Sequence, residues 1–198
     1  MKSKKVIYLY VVASLIAAYI YYQYHISRSF TYVYVDHFLD KADYTLLVDE
    51  LKKYNERLNY AKETTDNVVR YNLVMNEPRI KQLLEKYQPA ITHLTRNPRI
   101  YLAKNFPIEY RQYVPGSFMH KHRDQLIYTI PQYECVLTLN NTTDSVTKMA
   151  GKPIKAQPNS LMIVRAQGIE HEVTKVTQGE RKFLKFIFTE TDDKVAFV

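Results

Sequence analysis

The stretch HKHRD, residues 120–124, places two histidines, a carboxylate and two fixed cations within five positions. In an extended strand, residues i and i+2 face the same side, so His122 and Asp124 would offer an imidazole and a carboxylate to one centre. A divalent metal ion accepts this mixture of ligands, although two ligands do not make a tight site. His171, in the strand-like segment HEVTKV, is the candidate for a third ligand.

Two histidines and one carboxylate on one face of an octahedron leave three positions open for other molecules. This ligand set is typical of iron(II) oxygenases, whereas structural metal sites are closed. An alternative pairs His120 with His122, and that pattern expects a glutamate four residues further on. Position 126 is Leu126, so we interpret His120 as a residue of the surface or of a substrate channel.

An anionic co-substrate beside such a metal needs a buried cation, and the planar, permanently charged guanidinium of arginine suits a carboxylate. Arg181 follows His171 by ten residues across the turn TQG, so a hairpin would return it beside His171. Arg165, one predicted strand earlier, is an alternative anion site.

The elements that must position these residues fall into two regions. Between residues 41 and 106, Leu47, Leu51, Tyr54, Leu58 and Ala61 form the apolar stripe of a helix. Asp40 is its expected N-cap. A second helix is predicted after NEP, with Asn76 as its cap and its end near Pro89.

From residue 107 to residue 198, short runs rich in β-branched and aromatic residues alternate with turn residues such as PG, NNTTD and QPNS. This pattern predicts an antiparallel sandwich or barrel. The expected fold class is therefore α+β and mainly β, with helices preceding the β domain.

The N-terminal segment, residues 1–24, has no charged residue from Val6 to Tyr22, which predicts an uncleaved transmembrane helix. Lysines before it favour a cytoplasmic N-terminus, with the β domain lumenal or exterior. A stalk is expected over residues 25–40. The protein would then be a single-pass membrane protein, with a virion membrane as one location.

The amino-acid composition excludes some kinds of site and makes a nucleic-acid partner unexpected. The chain has 198 residues, a formal net charge of +8 and one cysteine, Cys135, which excludes an intramolecular disulfide and a cysteine zinc cluster. The basic residues are spread along the chain without an aromatic-interleaved stripe, so we do not expect a nucleic-acid partner.

The segments YVPGSFMHKHRD and HEVTKVTQGERKFLKFIF resemble the iron(II)- and 2-oxoglutarate-dependent dioxygenase superfamily, in its prolyl-hydroxylase-like branch. The likeness covers roughly residues 107–189 and is greatest to uncharacterised members of algae and large DNA viruses. It implies a double-stranded β-helix, or jelly roll, in which His122, Asp124 and His171 bind Fe(II). It also implies that Arg181 binds the distal carboxylate of 2-oxoglutarate, with Tyr113 and Thr138 in the co-substrate pocket.

The activity implied is hydroxylation of a C–H bond, coupled to decarboxylation of 2-oxoglutarate to succinate, with ascorbate as a supporting reductant. The substrate is not implied, since NNTTDSVTKMAGKP replaces the glycine-rich acidic segment of many relatives; a protein substrate is one expectation. The alternative is a non-catalytic, membrane-anchored jelly-roll structural protein, such as a viral envelope or capsid-associated component.

Overall fold

The computed structural model of the protein describes residues 2–63, 68–128, 131–191 and 193. Its helices are α1 (Lys2–Ser29), α2 (Lys41–Lys52), α3 (Pro78–Lys86) and α4 (Gln88–Thr95), with a short 3-10 helix at Asn55–Arg57. Its strands are β1 (Tyr32–Val35), β2 (Asn59–Glu63), β3 (Val68–Met75), β4 (Tyr101–Leu102), β5 (Ile108–Tyr113), β6 (Phe118–His122), β7 (Gln132–Asn141), β8 (Thr147–Met149), β9 (Lys152–Ile154), β10 (Ser160–Arg165), β11 (His171–Val173) and β12 (Arg181–Thr189).

The strands pair antiparallel in the order β1-β10-β7-β12-β5-β3-β6-β11-β8-β9, with β2 on β3 and β4 on β12. Strand β3 pairs with β5 over most of its length and with β6 through Val68 and Val69. Strand β3 thereby joins two sheets. The large sheet consists of β1, β10, β7, β12, β5 and β3, and the small sheet consists of β6, β11, β8 and β9. The two sheets face each other, because Arg181 of β12 donates a hydrogen bond to Thr147 of β8 at 3.0 Å. This mainly β, antiparallel arrangement is consistent with the predicted jelly roll.

The two faces of the large sheet have different chemistry. Along β12, Leu184, Phe186 and Phe188 are buried in the main hydrophobic core, where helices α2 to α4 contribute residues such as Leu47, Leu84 and Ile91. The alternate residues Arg181 and Lys185 line a cavity on the other side. Because side chains alternate along a strand, the same strands hold the helices in place and present polar groups inward.

The first predicted helix exists but is shorter than its apolar stripe. Asp40 caps α2 as predicted, since its carboxylate accepts a hydrogen bond from the Asp43 amide at 2.8 Å. Leu58, however, follows the 3-10 helix, and Ala61 lies in β2. The apolar spacing continues past the end of the helix, but this segment forms a strand because β2 pairs with β3. Helical spacing does not reveal this long-range contact.

Two helices, α3 and α4, occupy the segment where the sequence predicts a second helix. The N-cap of α3 is Glu77 rather than Asn76, with Pro78 in its first turn. Helix α3 ends at Lys86, near Pro89 as predicted, and Pro89 itself lies in the first turn of α4. Proline is tolerated there because the first-turn amides have no partner within the helix.

The sheet begins before the predicted boundary at residue 107. Strand β1 lies within the segment 25–40, predicted as a stalk, and pairs with β10. Strands β2 and β3 lie within the segment 41–106, predicted as helical, and β3 occupies a central place between β5 and β6. The earlier residues therefore complete the jelly roll as well as covering it.

The predicted N-terminal membrane anchor is wrong, because no helix among the described residues combines the length and the apolarity needed to cross a bilayer. The single-pass topology and the virion-membrane location that were inferred from this anchor are corrected with it.

The packing of α2 gives a test of the fold with an internal control. Leu47 is 1% exposed in the main core, whereas its neighbour Leu46 is 61% exposed. We expect Leu47→Ala to lower the free energy of unfolding by about 2–5 kcal/mol, because it leaves a cavity in the core. Leu46→Ala should change it by no more than about 0.5 kcal/mol. Urea denaturation of both variants measures the difference, and equal effects would contradict the packing described here.

Candidate metal centre

The three predicted ligands meet at one end of the cavity between the two sheets. His122, the last residue of β6, is the direct antiparallel partner of His171, the first residue of β11. Their ring centroids are 4.3 Å apart. Asp124 lies between them, with Oδ1 3.7 Å from Nε2 of His122 and Oδ2 3.5 Å from Nε2 of His171. One ligand atom from each residue falls within 4.8 Å of the others.

A bulge in β6 decides which of its histidines faces the cavity. The strand pairs His122 with His171 and Met119 with Val173, so β6 has one more residue than β11 between these two pairs. Met119 and His122 therefore both line the cavity. His120 is exposed and packs against the ring of Phe118, with centroids 4.9 Å apart. This agrees with the interpretation of His120 as a surface residue.

Hydrogen bonds fix the orientation of both imidazoles. Nδ1 of His122 lies 2.8 Å from the backbone carbonyl of His120, and Nδ1 of His171 lies 3.2 Å from that of Ile169. A carbonyl oxygen only accepts, so each Nδ1 carries the proton and donates it. Nε2 of each ring lies within 4 Å of the Asp124 carboxylate. Metal-binding histidines characteristically have such a partner on the second ring nitrogen.

Asp124 follows the end of β6 and is held by backbone and side-chain contacts. Its carbonyl accepts a hydrogen bond from the Gln167 amide at 2.9 Å. The segment after it is fastened by Gln132, whose Oε1 accepts from the amides of Ile127 at 2.8 Å and Tyr128 at 2.9 Å. Strand β7 therefore helps to hold the segment that follows Asp124.

Electrostatics favour an ionised Asp124 and a neutral His171. Burial opposes the charge on Asp124, but interaction with His122 and the positive charge of Lys185 outweigh it and lower the pKa of Asp124 to about 2. Burial lowers the pKa of His171, and the charge of Asp124 offsets only part of that shift. Burial also disfavours the charged form of His122, but Asp124 and the His120 carbonyl raise its pKa overall.

The three side chains fit a single metal ion. Both carboxylate–imidazole separations are shorter than about 4.2 Å, which is twice a typical metal–ligand bond of about 2.1 Å. One ion can therefore contact Asp124 and either histidine. Two imidazoles and one carboxylate form the ligand set typical of non-haem Fe(II).

Arg181 lies in the same cavity and is only 3% exposed. Its guanidinium donates to the hydroxyl groups of Thr147 at 3.0 Å and Thr138 at 3.3 Å. Its Nε has no hydrogen-bond partner among the described residues, and none of their carboxylates forms an ion pair with it. A buried cation with neutral partners is costly unless an anion joins it, so the site fits a ligand carboxylate.

The hairpin that delivers Arg181 is fixed by Asp144 and Gly179. The Asp144 carboxylate accepts hydrogen bonds from the amides of Thr177 at 2.9 Å and Gln178 at 3.2 Å. Gly179 has a φ of +78°, and a Cβ there would collide with the Thr142 carbonyl. Only glycine fits this turn without strain. Asp144 is exposed, and its carboxylate stabilises this turn.

The other predicted co-substrate residues lie near Arg181 in different ways. Tyr113 lines the cavity, and its hydroxyl has only a weak contact to the sulfur of Met119 at 3.8 Å, so it can still donate to a ligand. Thr138 contacts Arg181 but is not among the described lining residues. Thr147 both lines the cavity and contacts Arg181. Sequence reasoning missed Thr147, because DSVTKM carries no signal that distinguishes its threonine.

The cavity has a volume of about 230 Å³. It joins the three candidate ligands to Arg181, and the described residues that line it do not include Arg165, the alternative anion site. The candidate ligands, Arg181 and Tyr113 come from both sheets, so the cavity exists only when the jelly roll is closed. The contacts of these residues with a metal or a co-substrate stay predictions.

No model of a protein family matches the chain, and no curated protein matches it. Solved structures do. A Pseudomonas putida prolyl-4-hydroxylase is similar with a TM-score of 0.64 and 20% identity over 83% of this chain and 95% of that one. The viral collagen prolyl hydroxylase of Paramecium bursaria Chlorella virus-1, in a 2-oxoglutarate complex, gives 0.60 and 11% over 82% and 98%. The non-haem α-ketoglutarate-dependent epimerase SnoN of nogalamycin biosynthesis gives 0.63 and 9% over 85% and 80%.

These sequence identities are low, so the structural similarity establishes the fold alone. The covered share of this chain, 82–85%, is larger than residues 107–189, where the sequence resemblance lies. The predicted resemblance is confirmed at this level: the chain has the fold of the 2OG-Fe(II) oxygenase structures, prolyl hydroxylases among them.

Proposed function

We propose that the protein is an iron(II)- and 2-oxoglutarate-dependent dioxygenase that hydroxylates a C–H bond of its substrate. The observation that carries the proposal is the meeting of His122, Asp124 and His171 within 4.8 Å, in a cavity that also contains Arg181. A protein that used the fold only as a scaffold would have no need of an open ligand set and a buried arginine together.

Each residue has a distinct part in this proposal. His122, Asp124 and His171 hold the metal, and one ligand atom of each lying within 4.8 Å of the others supports this role. Iron(II) with 2-oxoglutarate supplies oxidation by dioxygen, with release of succinate and carbon dioxide. The protein contributes position, charge and exclusion of water.

The co-substrate is held at the other end of the cavity. Arg181 takes the distal carboxylate through charge-assisted hydrogen bonds, while Thr138 and Thr147 keep the guanidinium in place. Tyr113 is positioned to donate a hydrogen bond to the same acid. Because Arg181 is buried, its attraction for the carboxylate is little screened by solvent.

The substrate class is part of the proposal and is tested separately. A protein substrate is compatible with this fold, in view of the prolyl hydroxylases that share it. A nucleic-acid substrate is not expected, since the basic residues form no aromatic-interleaved stripe in the sequence.

The proposal is tested by incubating the full chain with iron(II), 2-oxoglutarate and ascorbate in air and measuring succinate by mass spectrometry. We expect at least threefold more succinate than in a reaction that lacks the protein, and no excess when a chelator removes the iron. Adding back iron(II) should restore the excess. Succinate at background level under all conditions, from a protein that binds the metal, would favour a non-catalytic jelly-roll scaffold.

A further inference from the structure

Asp124 differs from the other two candidate ligands because it lies outside any regular element. His122 ends β6 and His171 begins β11, so direct strand pairing places both imidazoles. Residues 123–127 form neither helix nor strand. We propose that Gln132, the first residue of β7, is a positioning residue that keeps the Asp124 carboxylate on the two imidazoles and thereby sets the metal affinity. This inference rests on the metal centre of the proposed function and adds the residue that fixes its geometry.

The side chain of Gln132 has all of its hydrogen-bonding positions filled. Its Oε1 accepts from the amides of Ile127 at 2.8 Å and Tyr128 at 2.9 Å. Its Nε2 donates to the carbonyl of Gln125 at 3.2 Å and to Oε1 of Glu134 at 2.5 Å. A primary amide offers two acceptor positions and two donor hydrogens. Three of these four bonds therefore hold the backbone of the segment that follows the candidate ligand.

The neighbours of Gln132 fix which way its amide faces. Gln132 and Glu134 are both buried, and Nζ of Lys185 lies 3.0 Å from Oε2 of Glu134, where it compensates the buried charge. A carboxylate only accepts, so Glu134 holds Nε2 of Gln132 toward itself and leaves Oε1 to the two backbone amides. A buried polar group that loses its partner is costly, because no water replaces the bond. The segment after Asp124 therefore has one favoured position.

The backbones of Gln132 and Asp124 are also held by two consecutive amides. Ala166 and Gln167 directly follow β10. The amide of Ala166 donates to the carbonyl of Gln132 at 2.9 Å, and the amide of Gln167 donates to the carbonyl of Asp124 at 2.9 Å. Gln132 is thus anchored next to the ligand that we propose it positions, so its side chain acts from a fixed point.

The position of Asp124 matters because the candidate metal centre tolerates little movement. Its Oδ1 lies 3.7 Å from Nε2 of His122, and its Oδ2 lies 3.5 Å from Nε2 of His171. One ion can contact both atoms of such a pair only while they are less than about 4.2 Å apart. Movement of the carboxylate away from the rings by about 1 Å would exceed this limit for both pairs, and misplacement of that size is known to be costly.

The first experiment measures Zn(II) binding to the full chain carrying Gln132→Met. Methionine has a similar length but forms none of the four hydrogen bonds. We expect Zn(II) affinity, measured by calorimetric titration, to fall at least tenfold, since partners that orient a metal ligand usually contribute about 10- to 100-fold. Unchanged affinity in a variant that circular dichroism shows to be folded contradicts the inference.

Asn97→Leu is the matched control. Asn97 is buried as well, and its amide group also makes three hydrogen bonds, to Tyr133 at 3.2 Å, to Glu190 at 2.8 Å and from the Arg99 amide at 3.1 Å. None of these partners belongs to the segment after Asp124. The Zn(II) affinity of Asn97→Leu should stay within about twofold. Equal losses in the two variants would assign the effect to general destabilisation and overturn the inference.

A double variant tests whether Gln132 acts through Asp124. Two residues that act through one another have non-additive effects when both are replaced. In an Asp124→Ala background, where NMR titration follows Zn(II) binding by the remaining histidines, Gln132→Met should therefore weaken binding less than twofold. A tenfold loss in this background too would mean that Gln132 does not work by positioning Asp124.

If Gln132→Met does not fold, amide hydrogen exchange in the unaltered chain tests the inference. Coupling between two sites is reciprocal, so an ion bound through Asp124 must also stabilise the segment that Gln132 holds. We expect Zn(II) to slow exchange of the Ile127 and Tyr128 amides at least threefold. The amides of Thr177 and Gln178, which bond to a carboxylate elsewhere, should not change. Equal slowing at all four amides, or at none, contradicts the inference.

Failure of the proposed function can be told apart from failure of this inference. A chain that binds Zn(II) and shows the expected loss in Gln132→Met, but forms no succinate, keeps the positioning role without the dioxygenase. A chain that forms succinate and binds Zn(II) equally well with Gln132→Met keeps the dioxygenase and loses the positioning role. A chain that binds no divalent ion contradicts both.

Discussion

Replacing His122 with alanine is expected to lower the affinity for iron(II) more than about 100-fold and to reduce succinate formation to the background. Loss of a partner that merely orients a metal ligand costs about 10- to 100-fold in affinity, so loss of a ligand itself should cost more. The structure supplies the reason, since His122 offers one of three candidate ligand atoms that lie within 4.8 Å of one another. Iron binding by calorimetry under nitrogen, with succinate measured in parallel, checks both effects.

His120→Ala is the matched control for this experiment. His120 is the same residue type two positions earlier on the same strand, but it is exposed and does not line the cavity described here. Iron affinity and succinate formation should stay within about twofold of the unaltered protein. Equal losses in both variants, or no loss in His122→Ala, would mean that the three side chains are not the metal centre.

Replacing Arg181 with methionine should leave iron binding intact and weaken 2-oxoglutarate binding at least tenfold, about 1.4 kcal/mol. Removing one partner of a buried, hydrogen-bonded charge pair usually costs more than this, about 2–5 kcal/mol, so tenfold is a lower bound. Arg181 is only 3% exposed, so a smaller replacement would leave a cavity. Methionine fills a similar volume without a charge and therefore limits the loss of packing. Calorimetric titration with 2-oxoglutarate, in the presence of Mn(II), measures the change.

Arg165→Met is the control for Arg181. Arg165 was the alternative anion site in the sequence, and it lies on β10, outside the described lining of the cavity. Its replacement should change the affinity for 2-oxoglutarate less than threefold. A larger loss in Arg165→Met than in Arg181→Met would assign the co-substrate to the other arginine and move the binding site out of the cavity.

Local sequence pattern was sufficient where the determining contacts are close in the chain. Alternation and turn residues predicted the strands after residue 107, and Asp40 was predicted as a helix cap because capping involves an amide only three residues away. Types and spacing also selected His122, Asp124, His171 and Arg181 as candidates. Ligand sets restrict the residue types that can serve, so such candidates are readable before any fold is known.

Helix boundaries and the extent of the sheet could not be read in the same way. The helical stripe runs on to Leu58 and Ala61, but pairing of β2 with β3 makes this segment a strand instead. Strand β1 joins the sheet through β10, more than 120 positions along the chain. These choices depend on partners that are distant in sequence, and periodicity within one segment carries no information about them.

The sequence by itself determined which side chains are candidates to bind a metal and an acid, and that the fold is mainly β. The tertiary structure alone decided that they meet. A one-residue bulge in β6 turns His122 rather than His120 toward His171, and Gln132 of β7 holds the segment after Asp124. The second sheet supplies Thr147 to Arg181. Chemical identity belongs to each residue, whereas distance and burial arise from strands that pair far along the chain.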